Sequence, residues 1–191
     1  MRFTAATFLF GLVATTIAAP TTGISKNKRA LTVQSYADFQ VSDGVAGNAL
    51  AEVNANFPVR AHSPRKHTTT DPFQIDTSDL ASISAADLEI IKDAREVAED
   101  AETGTGGFNE QIDVAGGKNT AAGTTLQNGK IKNKVLKLQL EVLALQIEQA
   151  QGETGLEAKI AEEMTKLNNN IALDEEAAGE TSTSVTDTFS G

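Results

Sequence analysis

His62 and His67 are the side chains whose unperturbed pKa suits proton transfer near neutral pH, and the chain has no other histidine. They stand five residues apart with Arg65 and Lys66 between them. Neighbouring cations oppose a metal ion, and no Asp or Glu adjoins the pair to complete a ligand set. Gly116-Gly117-Lys118-Asn119-Thr120 has the outline of a phosphate loop. That pattern needs Gly six residues before the lysine and Ser or Thr directly after it, and Ile112 and Asn119 occupy those places. Glu99-Asp100, Glu162-Glu163 and Glu175-Glu176 supply carboxylates in pairs. Glycoside hydrolysis needs two carboxylates facing each other across a cleft, and neighbours on a helix point apart. A Ser-His-Asp arrangement would have to draw on one of the two linker histidines. These residues predict a protein that is not an enzyme and takes no metal and no cofactor.

One constellation remains as a candidate partner-binding patch. Lys130, Lys132, Lys134 and Lys137 fall within eight residues and could meet phosphates or an acidic partner. The field of an acidic chain works against anions. The spacing therefore favours a solvated helix face, with Ile131, Val135 and Leu138 turned inward.

The N-terminus bears on destination. Met1-Arg2 is a positive n-region, Phe3 to Ile17 an apolar run, and Thr16-Ile17-Ala18 places small residues where a signal peptidase reads them. The apolar run is shorter than the roughly 20 residues a membrane-spanning helix needs, and threonines break it. Lys28-Arg29 is the dibasic pair that kexin-type proteases cut. The expected organisation is a signal peptide over residues 1–18, a propeptide over 19–29 and a mature chain from Ala30. The processing residues are Ala18, Lys28 and Arg29.

The whole chain of 191 residues carries 16 basic and 26 acidic side chains, a formal charge of −10. Removing residues 1–29 takes away four basic residues and no acidic one, leaving −14. Such a chain should avoid nucleic acid and anionic lipid. It has no cysteine, so neither disulfides nor a cysteine zinc site can stabilise it, and no tryptophan for a sugar-stacking platform. A mature chain of this length can bury a core without staples. No Asn-x-Ser/Thr sequon occurs, whereas Thr68-Thr69-Thr70 and Thr181-Ser182-Thr183-Ser184 offer acceptors for O-linked sugars.

The elements that must position these residues read as helices. Ser42 caps a segment in which Val45, Ala49, Leu50, Val53 and Phe57 share a face, ended by Pro58. Residues 59–75 form a basic, proline-punctuated linker. Ser84 caps a second helix with a stripe of Leu88, Ile91, Ala94 or Arg95, and Ala98, and Phe108 to Ala115 is a short third. Thr120 to Gln151 is the clearest element. Ile131, Val135, Leu138, Val142 and Leu145 step by 4, 3, 4, 3 as a heptad seam, and Leu136, Leu140, Leu143 and Ile147 make a second row. Two apolar rows imply contact from two sides, as in the central helix of a bundle. Gly152 to Gly155 is a turn or a kink. Leu156, Ile160, Met164 or Glu163, Leu167 and Ile171 continue as a further helix. The fold class expected is all-α, a bundle built around a long antiparallel hairpin, with a single helical domain over residues 30–178 and an acidic, disordered tail over 179–191. Leu31 to Val33 is the one hint of a strand.

Four stretches carry a resemblance. They are Phe39-Gln40-Val41-Ser42-Asp43-Gly44-Val45-Ala46-Gly47-Asn48-Ala49, Ala98-Glu99-Asp100-Ala101-Glu102-Thr103, Asn128-Gly129-Lys130-Ile131-Lys132-Asn133-Lys134-Val135-Leu136-Lys137-Leu138, and Lys166-Leu167-Asn168-Asn169-Asn170-Ile171. In this order they resemble an uncharacterised family of small secreted proteins of filamentous ascomycetes. The resemblance brings no catalytic residues. It implies a fungal origin, export to the extracellular space (host apoplast or host cell beyond it) and, in a pathogen, membership of the effector candidates. The expected partner is a host or cell-wall protein, with no nucleic acid and no membrane span, and the chain is expected to be a monomer. A wall or cell-surface protein and a small-ligand or lipid carrier are the alternative readings.

Overall fold

α5 spans Ala121–Ala150 and is the element around which the others gather. Thr120 starts it: the threonine Oγ1 accepts the Gly123 N–H at 3.0 Å and satisfies one of the orphan donors of the first turn. Both apolar rows are buried except at Ile131, which is half-buried. Val135, Leu136, Leu140 and Ile147 lose all contact with solvent, and Leu138, Leu143 and Val142 nearly all. Burying each such side chain stabilises the fold by about 1.5–3 kcal/mol before entropy is counted. α2, α3, α4 and α6 all contact α5, the arrangement that two apolar rows predict. The structure, a computed structural model, describes residues 31–57 and 77–189.

α3 spans Ala85–Thr103, with the Ser84 hydroxyl accepting the Asp87 N–H at 3.0 Å. Its buried stripe is Leu88, Ile91, Ala94 and Ala98, continued by Ala101 and Glu102. A 3-10 turn over Thr77–Ser82 precedes it. α4 spans Phe108–Val114 and buries Phe108 and Ile112. The chain leaves helical geometry over residues 151–156, so Gly152 to Gly155 is a turn and not a kink. α6 then spans Glu157–Glu176. Ile160 and Leu167 are buried, while Met164 is 42% exposed and Glu163 takes the inner position beside it. Further along, α6 buries Asn170 and Asp174 and leaves Leu173 exposed.

The first third departs from the sequence expectation. α1 is a single turn, Tyr36–Phe39, and α2 covers only Ala49–Asn56, with Asn48 at its N-cap position but making no side-chain capping bond. Ser42 does not start a helix. Gly47 holds a φ of +110°, and a Cβ there would sit 2.7 Å from the Ala178 Cβ, so the chain turns and packs where a helix would run through. Val45 consequently points outward, 54% exposed. Strand pairing occurs at Gly44–Val45, not at Leu31 to Val33: β1 (Gly44–Val45) pairs antiparallel with β2 (Thr181–Ser182), Gly44 opposite Ser182.

The acidic tail is the second correction. Residues 179–189 do not trail away. They contribute β2, bury Val185 at 2% exposure, and set the Phe189 ring edge-on to Tyr36 at 5.4 Å. The reason is backbone hydrogen bonding, which Ser/Thr-rich composition does not reveal. The tail passes so close to α5 that a Cβ on Gly129 would lie 2.0 Å from the Thr183 carbonyl oxygen. Gly129→Ala should therefore lower stability. Helix propensity gains about 1 kcal/mol, but collision with a backbone carbonyl costs about 1–3 kcal/mol, for a net loss on the order of 1 kcal/mol. Thermal unfolding checks it, and a raised melting temperature would mean that the tail does not lie on α5.

Candidate functional site

The four lysines do not share a face. Lys130, Lys134 and Lys137 follow the i, i+4, i+7 spacing that stacks side chains along one side of a helix, and all three turn toward the end of α3. There the Glu102 carboxylate lies 3.0 Å from the Lys137 ammonium, 3.7 Å from that of Lys130 and 3.8 Å from that of Lys134. Lys137 also reaches Glu99 at 3.6 Å, and Lys130 donates to Asn109 Oδ1 at 2.6 Å. Cations suit this place, because the carbonyls at a helix C-terminus carry partial negative charge. Burial alone would raise the Glu102 pKa. The Lys137 hydrogen bond and the charges of Lys137, Lys134 and Lys130 outweigh it, and the net shift is downward.

That downward shift has a definite sign in stability. A carboxyl with a depressed folded-state pKa contributes stability above its unfolded value of 4.5, and the contribution is lost as pH falls through the folded-state pKa. Acid unfolding of the wild type should thus carry a Glu102 component below about pH 4. Glu102→Gln should be less stable at neutral pH and should show a shallower fall in acid. Parallel stability–pH curves for the two proteins would exclude the ion cluster as its source.

Lys132 points elsewhere and is fully buried. Its Nζ donates to the carbonyls of Asp43 at 3.0 Å and Val45 at 3.1 Å and pairs with Glu52 at 2.9 Å. The solvated face expected for it is wrong, because three acceptors from distant parts of the chain enclose the ammonium. Buried Asn133 beside it accepts the Tyr36 hydroxyl at 2.9 Å and donates to the Ala98 carbonyl at 2.7 Å. Burial pushes the Tyr36 phenol up to about 12. Asn128 Nδ2 donates to the Thr181 carbonyl and to Glu180 Oε2, each at 3.0 Å. In the antiparallel pair, residues 42, 44 and 46 face the partner strand, and 43 and 45 face away. Lys132 takes the outward carbonyls of one strand and Asn128 an outward carbonyl of the other.

A third polar group is buried on α6. Asp174 Oδ2 accepts the Ala49 N–H at 2.8 Å and so caps α2 from across the fold, and its Oδ1 is buried without a partner. A cavity of about 280 Å³ opens beside β1, lined by Gln40, Val41, Asp43, Glu52, Ala55 and Asn56.

The geometry thus divides the candidate patch. Lys130, Lys134 and Lys137 bind α3, and Lys132 binds the strand pair. Among the described residues no three metal-ligating side chains gather, and no helix is long and apolar enough to cross a membrane. Ala18, Lys28, Arg29, His62, His67 and the Thr68–Thr70 cluster lie outside the described residues. Of the other O-glycan acceptors, Ser182 is buried. Tyr36, Glu102, Asn128, Asn133 and Asp174 are not among the candidate residues of the sequence. Asn128, Lys132 and Asn133 did leave a trace there, as polar residues interrupting the helix ahead of Leu136.

A family model described as a domain of unknown function (DUF8454) matches residues 31–186. No curated protein and no solved structure matches the chain.

Proposed function

The chain belongs to the DUF8454 family, and from that premise we propose that it is a secreted, non-enzymatic fungal protein that acts by contact at the fungus–host interface, a candidate virulence effector. The observation that carries the reading is a coincidence of boundaries. The prepro-like sequence ends at Lys28-Arg29, and the family match starts at residue 31. Within the matched unit, the Leu31 N–H is held by Asp87 Oδ1 at 2.8 Å. Cleavage after Arg29 would leave the matched family unit whole.

Working by contact also fits the polar interior. Lys132, Asn133, Asn128 and Glu102 each spend their hydrogen bonds on other parts of the chain. The scaffold is read as a long antiparallel hairpin of α5 and α6. Gln149 meets Glu157 and Glu141 meets Lys159 near the turn, and Asn128 meets Glu180 at the far end.

Mass spectrometry of secreted material should find Ala30 as the N-terminus. An intact Met1 would sink both the processing and the export. Transcript levels during infection against growth in culture test the role: strong induction supports an effector, and constitutive association with the wall overturns it.

A further inference from the structure

Residues 179–189 are held to the body of the protein chiefly by polar bonds. The Ala46 N–H donates to the Glu180 carbonyl at 3.0 Å, and the Gly179 N–H returns to the Ala46 carbonyl at 3.1 Å. The Thr183 N–H donates to the Thr125 carbonyl at 3.1 Å and the Ser184 N–H to Asp43 Oδ1 at 2.7 Å. The Ser182 hydroxyl donates to the Ser42 carbonyl. Apolar anchoring is limited to Val185 and a partly buried Phe189. Water can take over every one of those polar bonds, whereas nothing replaces the packing of Leu136, Leu140 and Leu143. Gly47 and Gly179, at φ of +110° and +88°, stand at the ends of the two bonded segments.

We propose that residues 179–189 form a displaceable strap, which lifts off the 42–46 loop and α5 as one unit while α3, α5 and α6 stay packed. Opening uncovers the Asn128 amide, the Thr125 carbonyl and the N–H and carbonyl of Ala46. These groups sit at the spacing that now holds one extended segment. The uncovered face is therefore suited to an extended polypeptide rather than to a small apolar ligand. The strap stands whether or not the protein is secreted, because it rests on the folded unit alone.

Native-state hydrogen exchange on the full chain tests it. The amides of Ala46, Gly179, Thr183 and Ser184 should share one opening equilibrium, about 100-fold or more ahead of the Leu136, Leu140 and Leu143 amides. Asp43→Asn weakens the bond to Ser184 and should speed all four together by about tenfold, leaving the α5 amides unchanged. Exchange of the four at the α5 rate would overturn the strap. So would four unrelated rates, or an Asp43→Asn variant that accelerates α5 equally.

Discussion

Lys132→Met should destabilise the closed protein by about 3–5 kcal/mol, the cost of removing one partner from a buried ionic contact. Methionine fills the space but supplies no proton donor, so the carbonyls of Asp43 and Val45 and the Glu52 carboxylate lose their common partner. Each backbone carbonyl left dry costs about 1–3 kcal/mol, which agrees with the total. Two measurements read it. The urea midpoint should fall, and exchange at the Ala46 amide should rise by about 100-fold or more, since every 1.4 kcal/mol is a factor of ten. Lys132→Arg should not restore either, because a planar guanidinium cannot reach three acceptors grouped around one ammonium. If Lys132→Met leaves both the midpoint and the Ala46 exchange unchanged, the ammonium is in solvent.

Leu140→Ala should cost about 2–5 kcal/mol, the loss of transferred surface plus the cavity left in a fully buried position. Leu138→Ala, at 6% exposure, belongs to the same range. On a solvated face Lys137→Ala would cost next to nothing. Because Lys137 is the hydrogen-bonded partner of a buried Glu102, it should cost about 1–3 kcal/mol. Urea unfolding ranks the three. A negligible loss for Lys137→Ala would return that side chain to solvent, and a small loss for Leu140→Ala would mean that the second apolar row does not face the core.

These two predictions also mark what the sequence makes legible. Leu136, Leu140, Leu143 and Ile147 announce themselves because a helix repeats its direction every few residues, and Ser84 and Thr120 announce helix starts because capping is local chemistry. Lys132 does not. Its burial depends on carbonyls 89 and 87 residues away, and nothing near it in the chain separates a buried ammonium from a solvated one. The tail is illegible for a related reason. Thr181 to Ser184 are held by main-chain groups, which every residue carries, so composition reports only that their side chains are small and polar. The segment before Ala49 misled through its periodicity. Val45 and Ala49 keep helical spacing, yet the backbone turns at Gly44 and Gly47 before a helix can form.

The way α5 seats the strand pair bears on how the protein behaves in concentrated solution. An unpaired strand edge is a template for a neighbouring molecule, and proteins that leave one open tend to join edge to edge. Here Lys132 occupies the outer carbonyls of β1, while Asn128 and the Thr125 carbonyl occupy outward groups of β2. Fewer outward groups are then left to pair with a neighbouring molecule. In a chain without disulfides, two polar side chains on a helix thus blunt the edges of its one described strand pair.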